Sequence, residues 1–387
     1  MAKAQTIPLS VPHIFGKEWR YVKRCIDTGW VSTAGQYVNE LEKKIVDLTK
    51  AKYAVACSSG TVALQVALEI VGVKAGDEVI VPTVTFIAPV NAVRYCGAEP
   101  VFMDCDDHYN MDVDKTIDFL KTHTLQKNGK CVNKRTNKII SAIIPVHIFG
   151  NAADLYRLIP ECKKRNIKVV EDATESLGTV YKTGKHTGTL GDMGCYSFNG
   201  NKIITAGGGG MIVTNSPSYA YQAMYLTTQA KDDGLYYIHN SVGYNYRLNN
   251  LQAAMGVAQL ECLRKILKRK AANFKLYEKE VNKIKGLRIP ARPAYARNNN
   301  WMYPLCIDKK SYGRGRDELL ALFKQESIEV RPLWQLNHLQ KPYRTNETYQ
   351  ISQAVKLLEN TINLPCSYGL TGKQIQRVVG LLKKWQR

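Results

Sequence analysis

Short apolar runs alternate with helical or loop stretches between about residues 53 and 215, and this alternation constrains the fold most. The runs are rich in β-branched residues and read YAVAC, EVIVP, PVFMD, KIISAIIPVHI, IKVVEDA, GCYSF and GMIVT. Continuous apolar strands separated by helices are typical of a mostly parallel sheet that is covered on both faces. The sequence therefore predicts an α/β fold for this part of the chain.

The pattern changes after about residue 248. A segment from 248 to 284 carries Leu and Ala at helical spacing, which predicts one long helix, and short strands and helices follow it. A chain of 387 residues is also long for a single core. We therefore predict a large domain at 1–248 and a smaller α+β domain at 249–387. The polar stretch from His123 to Lys138 is predicted to be an exposed loop.

Composition excludes several classes of protein. No apolar run reaches the roughly 18 residues of a membrane span, and the N-terminus lacks the apolar core of a signal peptide, so we expect a cytoplasmic protein with no membrane partner. The ten cysteines form no C-x-x-C pair and are expected to be reduced thiols. The net charge of +21 favours anionic partners, but the basic residues are spread along the chain. We interpret them as a solvated face and expect no nucleic-acid partner.

Two segments could contact a cofactor at the ends of predicted strands. Ser59, Gly60 and Thr61 follow YAVAC and open a helix, whose free N–H groups and partial positive charge suit a phosphate. An ordinary helix cap is the alternative. Phe86 follows EVIVP, where an aromatic ring can stack on a flat cofactor or belong to the core.

A carboxylate and a lysine complete the set. Asp172 ends the strand IKVVED, where a buried carboxylate could serve a metal, a proton or a cationic ring nitrogen, or simply cap a helix. Lys202 lies thirty residues later, between GCYSF and four consecutive glycines. A lysine amine can form a Schiff base with an aldehyde, as enzymes that use pyridoxal 5'-phosphate (PLP) require. No metal constellation competes, and a Walker lysine is excluded because the glycines follow Lys202.

Taken together, these segments resemble the DegT/DnrJ nucleotide-sugar aminotransferases, which are fold-type I PLP enzymes. The resemblance covers nearly the whole chain and rests on SSGT, the TF after VPT, EDATESLG, GDMGCYSFNGNK with its glycine run, and GYNYRLNNLQAA. It implies the aspartate aminotransferase fold, with a mostly parallel seven-stranded sheet in the large domain. It also implies a homodimer with shared active sites.

The resemblance implies a role for each matching residue. Lys202 would form the Schiff base and shuttle a proton, and Asp172 would pair with the ring nitrogen. The glycines after Lys202 would keep the backbone slim where cofactor and substrate crowd together. The other implied cofactor contacts are Phe86 stacked on the ring, Ser59, Gly60, Thr61 and Ser197 around the phosphate, Asn245 reaching the phosphate of the neighbouring subunit, and Glu175 near the 3-hydroxyl, where many members have Gln or His.

The implied reaction is ping-pong, with L-glutamate as amino donor and a nucleotide-linked keto-sugar as acceptor. The segment EVRPLWQLNHLQKPY resembles the branch that aminates C4 of UDP-linked 4-keto-6-deoxy-N-acetylhexosamines, whereas EDATESLG is also close to GDP-perosamine synthases. We place the UDP branch first, the GDP branch second, and a sugar 3-aminotransferase third, all for bacterial surface glycans. A non-catalytic regulator on the same fold is the alternative outside catalysis. His186, Arg331 and His338 are the predicted substrate residues.

Overall fold

The computed structural model describes residues 6–387. Its helices are α1 Lys17–Asp27, α2 Gln36–Thr49, α3 Gly60–Ile70, α4 Ala88–Tyr95, α5 Val113–Thr122, α6 Leu155–Lys163, α7 Pro217–Thr227, α8 Asn250–Glu261, α9 Leu263–Val281, α10 Lys309–Tyr312, α11 Arg316–Gln325, α12 Gln353–Asn360 and α13 Gly372–Lys384. Its strands are β1 Tyr53–Cys57, β2 Glu78–Pro82, β3 Glu99–Met103, β4 Thr124–Lys127, β5 Lys130–Asn133, β6 Ile140–Ile143, β7 Lys168–Asp172, β8 Val180–Tyr181, β9 Met193–Ser197, β10 Gly210–Thr214, β11 Leu287–Arg288, β12 Ala296–Arg297, β13 Tyr303–Ile307, β14 Arg331–Pro332, β15 Thr348–Tyr349 and β16 Thr361–Leu364.

The large sheet has eight strands in the order β1-β10-β9-β7-β6-β2-β3-β15. Only β10 runs antiparallel to its neighbours, so the mostly parallel sheet predicted from the apolar runs is confirmed. All seven predicted strands belong to this sheet. It contains one strand more than predicted, because the two-residue strand β15 pairs with β3 from a polar segment that has no apolar run.

Strand direction gathers the candidate residues at one edge of this sheet. The strands β1, β2, β7 and β9 all run the same way, so their carboxyl ends meet there. Strand β10 runs the opposite way, and it therefore begins at the edge where the others end. In open α/β sheets this is the edge at which ligands bind.

The C-terminal part contains a four-stranded antiparallel sheet in the order β11-β13-β16-β14, with α9, α11 and α12 packed against its strands. The single long helix predicted at 248–284 is instead the pair α8 and α9. The helix breaks at Cys262, whose N–H bonds to the Gln259 carbonyl three residues back at 3.0 Å. Because α8 packs against α1 and α2 while α9 packs against α13, the domain boundary at 248/249 stays a prediction.

The stretch predicted as an exposed loop at 123–138 is wrong in part, since it contains the antiparallel hairpin β4–β5. Asn128 and Gly129 form its turn with φ of 51° and 73°. Within residues 6–387, no helix combines the length and the apolar character needed to cross a membrane. The cytoplasmic location stays a prediction.

Candidate active site

A cavity of about 670 Å³ lies at the edge where β1, β2, β7 and β9 end. Residues that follow these strands form one side of it, and residues of the small sheet form the other. The predicted cofactor residues that line this cavity are Ser59, Gly60, Thr61, Phe86, Glu175, Ser197 and Lys202. The fold thus brings together side chains that four separate sequence segments supply.

The first turn of α3 forms one end of the cavity. The Ser59 side chain caps the helix by accepting a hydrogen bond from the Val62 N–H at 3.3 Å. A Cβ at Gly60 would come within 2.9 Å of the Ser197 Cβ, so glycine lets the end of β9 pack directly on the start of α3. Free helical N–H groups and nearby hydroxyls give this end the chemistry of a phosphate site.

The glycine run is explained by local backbone geometry. Gly207 and Gly209 have φ of 75° and 111°, in the left-handed region that glycine adopts without strain. A Cβ at Gly210 would lie 2.5 Å from the backbone of Ser59. The run therefore lets β10 begin in contact with the start of α3, and Gly208 and Gly209 form part of the cavity wall.

Lys202 lies in the loop between β9 and β10 and points into the cavity. Its side chain is only 14% exposed. Nζ lies 3.6 Å from Glu175 Oε1 and 4.1 Å from the centre of the Trp301 ring. This is not the environment of a solvated loop lysine, because one carboxylate and one aromatic face replace most of the water around the amine.

Glu175 is a buried carboxyl at the cavity wall. Its Oε2 accepts the Phe149 N–H at 2.9 Å, while Oε1 faces Lys202. Burial raises the pKa of Glu175 to about 7, although the charge of Lys202 opposes the rise. Near neutral pH this carboxyl can therefore hold or release a proton beside the lysine amine.

Asp172 ends β7 and is 2% exposed. Its Oδ1 accepts the Thr174 N–H at 3.0 Å. Burial raises the pKa of Asp172, and the Thr174 hydrogen bonds and the charge of Lys202 oppose that rise. Asp172 does not line the cavity, so a ligand that contacts its carboxylate has to extend deeper than the residues of the cavity wall.

The preceding residue, Glu171, has a structural task. It accepts three backbone N–H groups from the loop 188–191, each at 2.6 Å, and the His147 Nε2–H at 2.9 Å. His147 Nδ1 accepts the Ala153 N–H at 3.0 Å, which fixes the neutral tautomer that donates to Glu171. Successive side chains of a strand point to opposite faces. Strand β7 therefore places the structural carboxylate of Glu171 on one face of the sheet and the candidate functional carboxylate of Asp172 on the other.

Comparison with known proteins decides the family. The DegT/DnrJ/EryC1/StrS aminotransferase family matches residues 12–383. This chain belongs to that family. The GDP-perosamine synthase of Caulobacter vibrioides is 36% identical over 99% of both chains, and that of Vibrio cholerae is 34% identical over 98% of this chain and 99% of the relative. A protein described as a sugar aminotransferase, Spr1654 of Streptococcus pneumoniae in its PLP form, shares the fold with a TM-score of 0.87 at 22% identity over 98% of both chains.

Membership in this aminotransferase family confirms the predicted enzyme class, fold and PLP cofactor. The residues present fit that cofactor. The start of α3 offers phosphate donors, and Lys202 Nζ has no oxygen acceptor closer than Glu175 among the described residues. Phe86 is 55% exposed on the wall, where a flat ring can be covered. The individual residue roles stay predictions.

Besides Asp172, three predicted residues of this aminotransferase lie outside the cavity lining. The backbone of His186 forms an isolated antiparallel β-bridge with that of Val180. The buried Nδ1 of its side chain has no hydrogen-bond partner within residues 6–387. His338 Nδ1 lies 2.7 Å from Thr83 Oγ1. Asn245 is exposed and pairs with Thr228. Arg331 does line the cavity.

Trp301 and Asn363 are among the side chains of the cavity wall that sequence analysis did not predict. Trp301 lies beneath Lys202 and donates Nε1–H to the Asn201 carbonyl at 2.7 Å. Asn363, in β16, is 4% exposed. Neither residue belongs to a motif, and both come from the C-terminal part of the chain. Only the packing of the small sheet against the Lys202 loop brings them to the site.

Proposed function

We propose that this aminotransferase moves the amino group of L-glutamate to C4 of a nucleotide-linked 4-keto-6-deoxyhexose, with GDP as the favoured nucleotide. The observation that carries the proposal is Lys202, held in the cavity between the Glu175 carboxyl and the Trp301 ring. The product would enter a bacterial surface polysaccharide.

The chain's own residues would share the work as follows. PLP, when bound, supplies an aldehyde for the amino group and an electron-withdrawing ring. Ser59, Gly60, Thr61 and Ser197 would hold its phosphate, Phe86 would cover its ring, and Asp172 would pair with its ring nitrogen. Lys202 Nζ would carry the proton at C4 of the sugar. Glu175, whose pKa burial raises to about 7, would hold a proton beside that amine.

The relatives favour the GDP branch over the UDP branch, which is the opposite of the order that we gave from the sequence. The segment EVRPLWQLNHLQKPY favours a UDP-linked N-acetylhexosamine, but the relatives described above are GDP-perosamine synthases and align over nearly the whole chain. His338, on which part of the UDP prediction rested, lies outside the cavity lining. Perosamine is a 4-amino-4,6-dideoxy sugar, so its keto precursor has the carbonyl at C4.

We propose further that the enzyme works as a homodimer. The segment before Asn245 exposes large apolar side chains, with Leu235 76%, Tyr236 73%, Tyr237 71% and Val242 87% exposed. Contiguous exposed apolar surface is typical of protein–protein contacts. A partner that covers this segment would receive Asn245 at its phosphate site.

A mixing experiment tests the shared site. The Lys202→Ala and Asn245→Ala variants should each be inactive as pure homodimers. If each site combines Lys202 from one subunit with Asn245 from the other, exchange of subunits restores one intact site per hybrid dimer, and activity returns. No recovery, despite exchange verified by tagged subunits, would contradict the shared site.

An absorbance spectrum tests the activity first. Wild type supplied with PLP should have the visible band of a lysine-bound cofactor, and glutamate should remove it. Lys202→Ala should lack this response, while Lys185→Ala, which changes an exposed lysine, should keep it. GDP-linked and UDP-linked 4-keto-6-deoxy sugars are then added separately, and the true acceptor restores the band. A wild-type protein without such a band would refute the proposal, and recovery with the UDP sugar alone would restore the UDP branch.

A further inference from the structure

Two neighbouring strands of the small sheet present Arg331 and Asn363 to the cavity. Strands β14 and β16 are antiparallel, and Arg331 is the direct partner of Asn363 in their register. Directly opposed residues of such a pair project their side chains to the same face. Both residues line the cavity that contains Lys202. Their polar groups therefore face the same ligand space.

Asn363 has an amide with no task inside the protein. The residue is 4% exposed, its Oδ1 is buried without a partner, and no hydrogen bond among residues 6–387 uses its side chain. A buried polar group without a partner is unfavourable in a folded chain. Because neither amide atom is engaged, the group can turn about its last bond and present Nδ2 as a donor to a ligand.

Arg331 supplies a charge beside this amide. Its guanidinium makes one hydrogen bond, from Nη1 to its neighbour's carbonyl at Val330, at 3.2 Å. No carboxylate of the described residues lies within 4.0 Å of it, whereas the other lining cation, Lys202, faces Glu175 at 3.6 Å. Four of the five guanidinium N–H groups therefore stay available for an anion.

We propose that Arg331 and Asn363 bind a carboxylate of the amino donor. A planar guanidinium matches a planar carboxylate with two parallel hydrogen bonds, and an adjacent amide can add a third. The single positive charge of one arginine balances the single negative charge of a carboxylate. The groups suited to bind a phosphate lie elsewhere in the cavity, at the start of α3. This inference rests on the proposed function, since it assigns a site to the donor in that reaction.

Binding of an unreactive dicarboxylate tests the assignment. Glutarate has both carboxylates of glutamate and no amine, and GDP has phosphates and no carboxylate. Two of the five tryptophans, Trp301 and Trp334, line the cavity and report binding through their fluorescence. For the PLP-loaded protein we expect Asn363→Leu to raise the dissociation constant of glutarate about tenfold, the effect of one lost charge-assisted hydrogen bond. Arg331→Gln should raise it by more than about tenfold, because it removes the charge and the paired guanidinium donors. The dissociation constant of GDP should not change, which also verifies that the variants are folded.

The control is Arg288→Gln, because Arg288 is an exposed arginine of the same sheet that lies outside the cavity. It should leave both dissociation constants unchanged. Glutarate binding unaffected by Arg331→Gln, absent from the wild type, or weakened together with GDP binding in a variant whose melting temperature equals that of the wild type would overturn the assignment, and the last result would identify a phosphate site. Glutarate binding requires no amino transfer, so a failure of the aminotransferase proposal appears separately, as the missing response of the visible band to glutamate.

Discussion

The raised pKa of Glu175 makes a quantitative prediction about stability. An ordinary glutamate has a pKa of 4.5, and burial raises that of Glu175 to about 7. Between these values the folded chain keeps a proton that the unfolded chain has lost, so the free energy of unfolding falls as pH rises. The difference corresponds to about 3 kcal/mol in total. Glu175→Gln removes the titration while its side-chain oxygen can still accept the Phe149 N–H.

Urea unfolding of the cofactor-stripped protein at several pH values from about 4.5 to about 8 measures this effect. The free energy of unfolding of wild type should fall relative to Glu175→Gln by about 3 kcal/mol across the range, because titrations common to both proteins cancel. The matched control is Glu40→Gln. Glu40 Oε1 lies 3.6 Å from Lys44 Nζ, the same distance as in the Glu175–Lys202 pair, but its side chain is 41% exposed. Parallel pH curves for wild type and Glu175→Gln would refute the argument from burial.

Two further substitutions test the framework of the site. Glu171→Gln should lower the free energy of unfolding by about 3 kcal/mol in urea denaturation, because the new NH2 group would face buried donors, including the Nε2–H of His147. Gly210→Ala should destabilise the fold by about 2 kcal/mol and weaken PLP binding, since its Cβ would press on the Ser59 backbone. Gly208→Ala is its control in thermal unfolding, because that Cβ would meet the end of a flexible glutamine side chain and would touch backbone only at an ordinary contact distance of 3.9 Å.

The large sheet could be predicted from the sequence because each strand is a continuous apolar run bounded by turn residues. The elements that were not predicted either lack an apolar run or lie in a segment whose overall pattern predicts a different structure. Strand β15 consists of two residues in a polar segment, and the break at Cys262 interrupts an unbroken helical pattern. The hairpin at Asn128–Gly129 did carry a signal, since Asn-Gly is a preferred two-residue turn, but its polar flanks favoured a loop.

The candidate site divides in the same way. Residues at strand ends were predictable because the parallel sheet brings those ends to one edge. Trp301 and Asn363 were not, because they come from elements whose positions depend on how the small sheet packs. His186 shows the converse limit. A motif can place a residue near others in sequence, yet His186 does not line the cavity. Asn245 was predicted to reach the phosphate of a neighbouring subunit, so its place outside the cavity of its own chain leaves that prediction open.

The position of Lys202 depends on contacts from three distant parts of the chain. The Asn201 carbonyl accepts hydrogen bonds from Trp301 Nε1–H at 2.7 Å and from the Ser10 hydroxyl at 3.3 Å. The N-terminal segment and the C-terminal part therefore hold the same loop from two directions, and the glycines after Lys202 bring it against the start of α3. A lysine on a long side chain loses considerable rotamer freedom when it is fixed in a cavity. These contacts fix the backbone beneath Lys202, so the remaining entropy loss is confined to its side chain. The contacts of Nζ with the Glu175 carboxyl and the Trp301 ring offset that loss.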